Sequence, residues 1–295
     1  MFSSRLLAGF ECAHLGWNGH DLLHTTQHVP GERMREHYAI ARDHGMAWAR
    51  DGLPWRHDPA ERIAAAGPHV IWDLSHYDPP PDPVGHARRC AGAASCPLWL
   101  CLVNEPSLYP LMCGMDRNDA VALAITMGRA ARDCAGDVRF LSTDPIVGVG
   151  DHEYAATDAL VAAGFADVVG VNFYPHTAEA LLSDVLLATW RRYGLPVMLS
   201  ETSWHCGHSG QSDRFHRFDK GAWLRHVLAE VAAAEAQGAE IAGVCWYPLV
   251  ECPPWDEPAG GDWPGGRWSH GLIRDDLSVD PALSAEMKRQ ALIPA

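Results

Sequence analysis

The residues most able to do chemistry in this chain stand just after short apolar runs. In order they are Glu11 and His14, Arg50, His76, Asn104 and Glu105, Asp144, Asn172 and Tyr174, Glu201, and Trp246. Carboxyl, guanidinium, imidazole and amide groups are costly to place at the end of a buried segment, so their recurrence there points to use. Glu105 and Glu201 are the centre of the set. They are 96 residues apart, which is three repeats of about 32 residues, close to the length of one strand–helix unit. That spacing puts them on strands four and seven of a repeating β/α chain, facing each other across one mouth. Two carboxyl groups in that relation suit glycoside hydrolysis. One protonates the leaving oxygen, and the other attacks the anomeric carbon or directs water to it.

The elements that must position these residues follow from the hydrophobic pattern. There are eight apolar runs: LLAGFECA (6–13), MAWARDGLPW, HVIWDLSHY, PLWLCLVNEP, VRFLSTDPIV, DVVGVNFYPH, LPVMLSETSWH and IAGVCWYPLV. They are near-continuously apolar, as strands buried on both faces should be. Amphipathic stretches alternate with them. Met34, Tyr38 and Ala41 share one face of ERMREHYAIARDHG, and Asn118 and Asp119 open NDAVALAITMGRAARDC. The stretch AEALLSDVLLATWRRYG stops at Gly194, while DKGAWLRHVLAEVAAAEAQG buries Leu224, Val227, Leu228 and Val231 and ends at Gly238. DPAERIAAAG leaves room for only a stub of helix. This alternation predicts an α/β protein, a single (β/α)8 TIM barrel filling residues 1–295 as one domain. A doubly wound sheet would prefer a Gly-x-Gly-x-x-Gly turn after its first strand, and GFECAHLGWNG lacks that spacing.

Composition narrows the partners. The formal net charge of −14 argues against nucleic acid, which needs a concentrated basic surface. The nine Cys are odd in number and follow no framework spacing, and Cys101 and Cys245 sit inside apolar runs. They read as small buried hydrophobes of a reducing compartment. The N-terminal residues lack a signal-peptide core, and no apolar run reaches membrane-spanning length. A cytoplasmic protein with no membrane partner is expected; its oligomeric state is not legible.

Five segments carry a family resemblance. LCLVNEPS resembles the Asn-Glu-Pro signature of the clan A retaining glycoside hydrolases, the 4/7 barrels, whose Glu is the acid/base. MLSETSW is similar to their strand-seven nucleophile segment, and WDLSHYDPP to the strand-three sequence of family 1, whose His binds sugar. GVNFYPH resembles their strand six, where a Tyr bonds the nucleophile, and GVCWYP resembles the strand-eight Trp that floors the sugar site. The nucleophile segment reads Ser-Glu-Thr rather than Glu-Asn-Gly, and the chain is short for family 1, so it looks like a divergent relative. The resemblance implies a β-glycosidase of the β-glucosidase or β-galactosidase kind, acting by double displacement on a terminal sugar of a small glycoside. Glu201 would be the nucleophile and Glu105 the acid/base. Asn104 would hold the 2-hydroxyl, and Arg50 and Tyr174 would keep Glu201 ionised and oriented. Glu11, His14, His76, Asn172 and Trp246 would line the sugar pocket, with Trp255, Asp256 and Trp268 of the long loop ECPPWDEPAGGDWPGGRW closing it. No cofactor and no metal are expected.

Other readings use the same chain. A transglycosidase would employ the same residues with another acceptor, and a carbohydrate-binding barrel would have lost the reaction. A metal-dependent barrel hydrolase would need ligands. His20, His24 and His28 at i, i+4, i+8 could share a helix face, and His205, Cys206 and His208 follow Glu201 closely, but neither group shows a His-Glu-x-x-His pattern. The chain has no Gly-x-Ser-x-Gly elbow, which disfavours a serine hydrolase.

Overall fold

A computed structural model describes residues 2–66, 69–94, 97–204, 218–254 and 269–292. Eight parallel strands close into a barrel. They are β1 (Leu6–Gly9), β2 (Trp48–Gly52), β3 (Val70–Asp73), β4 (Leu98–Cys101), β5 (Val138–Pro145), β6 (Val168–Asn172), β7 (Val197–Thr202) and β8 (Ile241–Trp246). Each pairs with the next, and β8 closes onto β1 through Val244–Leu6, Cys245–Leu7 and Trp246–Ala8. One helix of eight or more residues follows each strand: α1 (Glu32–Asp43), α2 (Pro59–Ala66), α3 (Pro83–Ala93), α4 (Arg117–Cys134), α5 (Ala155–Ala162), α6 (Leu182–Tyr193), α7 (Lys220–Glu235) and α8 (Pro281–Ala291). The fold is the single (β/α)8 barrel expected from the pattern, and α2 is the expected stub.

Local chemistry sets the helix ends. Asp82, Asp116, Asp219 and Asp280 cap α3, α4, α7 and α8, each accepting a first-turn backbone N–H. Such caps are each worth about 1 kcal/mol. The α4 cap corrects the expected start: Asp116 reaches the Asn118 amide, so the helix opens at Arg117, one residue before Asn118. Helix α6 begins at Leu182 rather than near Ala178, and Gly194 ends it in the left-handed conformation (φ 62°). Along α7 the buried face is Trp223, Leu224, Val227 and Val231; Leu228 is only partly buried, and the helix stops at Glu235, short of Gly238.

Side chains alternate across each strand. Leu7, Ile71, Leu141, Val168, Met198 and Cys245 cluster inside the barrel, and Phe2 packs on Trp48 and Trp99 at its N-terminal end. Ala8, Ala49, Trp72, Leu100, Phe140, Val171, Leu199 and Val244 belong to the outer cluster shared with the helices. Nearer the strand C-termini the inward positions become Arg50, Asp73, Thr143 and Ser200, all buried. The barrel interior therefore grades from apolar to charged toward one mouth.

A second polar network lies behind β2. Asp51 points away from the barrel axis and accepts hydrogen bonds from Arg62 (2.8 Å), Tyr38 (2.8 Å) and His28 (3.1 Å). Arg62 also donates to the Gly52 and His28 carbonyls, and the His28 ring stacks on Phe10 at 3.9 Å. These contacts tie β1, β2, α1 and α2 together. They also correct the idea of three imidazoles on one helix face. His20 lies in a two-residue strand paired with His14–Leu15, His24 is exposed in the four-residue helix Leu22–Thr25, and His28 is buried against Asp51. The chain bends twice between them. Among the described residues no helix is long and apolar enough to cross a membrane.

Arg62→Met should be strongly destabilising, because it strips a buried carboxylate of its cation while keeping the apolar stem. Loss of one partner of such a pair costs about 3–5 kcal/mol. Urea unfolding measures it; a loss below about 1 kcal/mol would mean the Asp51 network does not hold this side of the barrel.

Candidate active site

Arg50, at the centre of β2, is the hub of the mouth. Its side chain is 0% exposed. Nε and Nη2 donate to Asp73 Oδ1 (2.9 Å) and Oδ2 (2.6 Å), Nη2 also to Asn104 Oδ1 (2.6 Å), and Nη1 to Glu201 Oε1 (2.7 Å). Although burial opposes it, the charges of Asp73 and Glu201 raise the guanidinium well above its ordinary value. Asp73 is buried too, yet Arg50 and His76 hold its carboxyl below the usual range.

Glu201 emerges from β7 at a register shift, where Asn172 of β6 pairs with it directly. Its second oxygen accepts the Tyr174 hydroxyl at 2.8 Å. Arg50 and Tyr174 thus grip opposite ends of one carboxylate.

Glu105 follows β4 in a left-handed conformation, φ 48° and ψ 63°. A residue with a Cβ is held there only by its surroundings. Its own N–H bonds the Thr143 carbonyl, the preceding Asn104 N–H bonds Ser75, and Asp144 accepts both the amide and the hydroxyl of Ser107. The Glu105 carboxyl accepts the Asn172 amide at 2.8 Å and, through a very short bond, the Tyr77 hydroxyl. Burial first and the Glu201 charge second raise its pKa, against the bonds from Tyr77 and Asn172. Asp144 lies outside the site and holds the loop; burial raises its pKa to about 7 despite the Ser107 bonds.

The remaining candidates divide. Glu11 accepts the amides of Cys12 and Ala13 and the hydroxyl of Tyr247 (3.1 Å), and burial raises its pKa. His76 is buried among Glu11, Asp73 and Asn104. Burial lowers its pKa, but Asp73, Glu11 and Glu201 outweigh this and raise it. The Asn104 amide nitrogen, 2.9 Å from Nε2, argues instead for a lone pair there. That geometry is firm, because Asn104 Oδ1 is already committed to Arg50 and Thr143, so we assign the ring proton to Nδ1. His14 stands at the rim beside Tyr77. Trp255, Asp256, Trp268, His205, Cys206 and His208 lie outside the described residues.

Trp246 is a correction. Its side chain belongs to the layer between barrel and helices, fully buried, with the indole N–H on the His270 carbonyl (2.9 Å). Strand alternation explains this: Cys245 and Tyr247 turn inward, so Trp246 turns outward. Tyr247 takes the inner place, its ring 5.2 Å from the Arg50 guanidinium carbon. Gly9 makes room for it, since an added Cβ would collide with the Tyr247 ring. Asp73, Tyr77 and Tyr247 are the site residues outside the sequence-based set. Two signals bear on the first and the last: a buried Arg50 demands a counter-charge on a neighbouring strand, and the two-residue period assigns Tyr247 inward; nothing marked Tyr77.

Among the described residues two groups bring three ligand atoms within 4.8 Å of one another. Cys12, Asp73 and His76 form the first, but both Asp73 oxygens are taken by Arg50, which already supplies the cation. Asp21, His24 and His57 form the second, apart from the carboxyl pair, with His24 mostly exposed.

No family model matches the sequence, and no curated protein does. Solved structures do match the fold. Fpglu1 of Fervidobacterium pennivoraus superposes with a TM-score of 0.66 at 14% identity, covering 98% of this chain and 95% of the other. The family 1 β-glucosidase of Thermotoga maritima gives 0.64 at 11% identity, covering 99% and 98%. The GH53 catalytic domain of Ignisphaera aggregans gives 0.62 at 16%, covering 97% and 96%. These likenesses define the class of fold, a closed parallel barrel shared along nearly the whole chain.

The Glu105 carboxyl should respond to the charge of Glu201. In Glu201→Gln the charge that helps raise Glu105 is gone, so the Glu105 pKa should fall while burial keeps it above an ordinary glutamate. Carbon-13 NMR titration of labelled Glu105 in both proteins reads the shift. An unchanged pKa would refute the electrostatic link.

Proposed function

We propose that the protein is a retaining β-glycosidase that removes a terminal sugar from a small glycoside. One observation carries the reading: two buried carboxyl groups on strands four and seven have opposite supports. Glu201 is gripped by a guanidinium and a phenol, which suits an ionised nucleophile. Glu105 has a phenol and an amide and is raised by burial and by Glu201, which suits a proton donor.

The steps follow from these supports. A Glu201 oxygen forms a bond to the anomeric carbon as the bond to the leaving oxygen breaks. The Glu105 proton goes to that oxygen. Glu201 is now an ester without charge, so the Coulombic contribution to the Glu105 pKa disappears and Glu105 can act as base. Water gives its proton to Glu105, its oxygen bonds the anomeric carbon, and Glu201 leaves as carboxylate. Glu11, His76, Asn104 and Asn172 are the groups we assign to the sugar hydroxyls. The near-complete burial of Glu11, Glu105 and Glu201 favours a pocket that admits one sugar over an open groove. The structural neighbours, β-glucosidases among them, agree with this reading.

Glu201→Gly should lose hydrolysis of an aryl β-glycoside by several orders of magnitude. Azide should then restore turnover, filling the vacated space and giving a glycosyl azide of inverted configuration. Undiminished hydrolysis in the variant, checked by product NMR and kcat, would sink the assignment of Glu201.

A further inference from the structure

A cavity of about 550 Å³ is lined by Tyr77, the residue whose hydroxyl bonds Glu105. Its walls come from the loops after β1, β2, β3 and β4, through His14, Trp17, Arg56, Tyr77, Leu111 and Met112. Two features link it to the reacting end of the site. Tyr77 lines the cavity and donates its hydroxyl to Glu105. The residues that form its far wall, from Pro110 onward, continue directly from the Pro106–Leu108 turn that follows Glu105.

Trp17, Pro79, Pro110, Leu111 and Met112 give the wall its carbon surface, and beside His14 its polar side chains Arg56, Tyr77 and Asp78 are already bonded. Trp17 is 57% exposed and Leu111 79% exposed, and both face this one cavity. Large apolar side chains grouped in a concavity mark a binding surface. Among the described residues the one Arg or Lys of the wall is neutralised: Arg56 makes two hydrogen bonds to Asp78 (2.8 and 3.1 Å) and lies over the Trp55 ring at 4.3 Å. A sugar needs convergent donors and acceptors of the kind that surround Glu201. Leu111 and Met112 offer only carbon and sulfur to such a guest.

We infer that this cavity binds the leaving group, and that the leaving group is a neutral apolar alcohol, alkyl or aryl, rather than a second sugar. The inference rests on the glycosidase reading. The leaving oxygen sits at Glu105, which supplies its proton, and the rest of the alcohol runs past Tyr77 between Trp17 and Leu111.

The test compares methyl and hexyl β-glycosides of one sugar with a disaccharide of that sugar. The methyl and hexyl leaving alcohols differ little in acidity, so the chemical demand is matched and the ratio of kcat/KM reports the cavity. The hexyl glycoside should exceed the methyl by about tenfold or more, since a single methylene in an apolar pocket can give that factor. It should also exceed the disaccharide. Trp17→Ser and Leu111→Ser should each shrink the hexyl-to-methyl ratio several-fold. A ratio near one, a preference for the disaccharide, or an unchanged ratio in both variants would overturn the inference. If no glycoside is turned over, the hydrolase reading fails and calorimetry decides the cavity separately. Hexyl glycoside should then bind the Glu105→Gln protein more tightly than methyl glycoside, and Trp17→Ser should erase the difference. Equal affinities would overturn the inference.

Discussion

The mouth of the barrel is organised by one buried cation. Removing a guanidinium from water costs several kcal/mol, and the cost is recovered only when its N–H groups meet well-placed acceptors. Arg50 meets them on three sides: Asp73 from β3, Asn104 from the end of β4, and Glu201 from β7. The guanidinium is a rigid planar fork, so satisfying it fixes the relative positions of three strand ends. A lysine would offer a point charge on a flexible stem and would not impose that geometry.

The same cation allocates protons. Arg50 faces more carboxyl groups than it can balance. Asp73 and Glu201 hold the direct bonds to it, whereas Glu11 and Glu105 are bonded to amides and phenols. The two without the cation have raised pKa values, by burial first, whereas Asp73, equally buried, is held down by Arg50 and His76. Direct bonding to Arg50 thus parts Asp73 from Glu11 and Glu105. This separates a candidate acid from a candidate nucleophile without any difference in residue type, as environment alone can do for paired carboxylates.

The barrel was legible because its signal is redundant. Eight apolar runs alternating with amphipathic stretches admit few other arrangements, and each boundary error was local. The α4 start moved by one residue because Asp116 competes with Asn118 for the same capping role. Glu105 and Glu201 were legible as a facing pair because a constant repeat length converts sequence separation into angular position. Trp246 was misread because a resemblance of residue type was preferred to the two-residue period of β8. Asp73 and Tyr77 were missed for a different reason. Each matters through a partner, Arg50 or Glu105, and such pairings join residues about 20 to 30 positions apart that only the closed sheet brings together. The triple-imidazole idea failed because it assumed a continuous helix where the chain forms a hairpin and one short turn.

The two carboxyl groups are also mounted differently, and the mounting fits the tasks proposed for them. Glu201 belongs to a strand: it pairs with Asn172 of β6, and the next residue, Thr202, pairs with Trp246 of β8. Glu105 lies beyond the end of β4, in a left-handed conformation that costs an ordinary residue roughly 1–2 kcal/mol. That conformation is over-determined. Asn104 and Thr143 bridge neighbouring strands, Ser75 takes the Asn104 amide, and Asp144 anchors Ser107 from the other face of β5. The turn lets the chain leave the strand sharply, carrying Pro106 and the cavity wall outward while the carboxyl stays at the mouth. A relaxed strand end would continue along β4, and the cavity wall would no longer begin next to Glu105. The left-handed turn at Glu105 is therefore what joins the carboxyl pair to the proposed leaving-group cavity, and Asp144, outside the pair, keeps it in place.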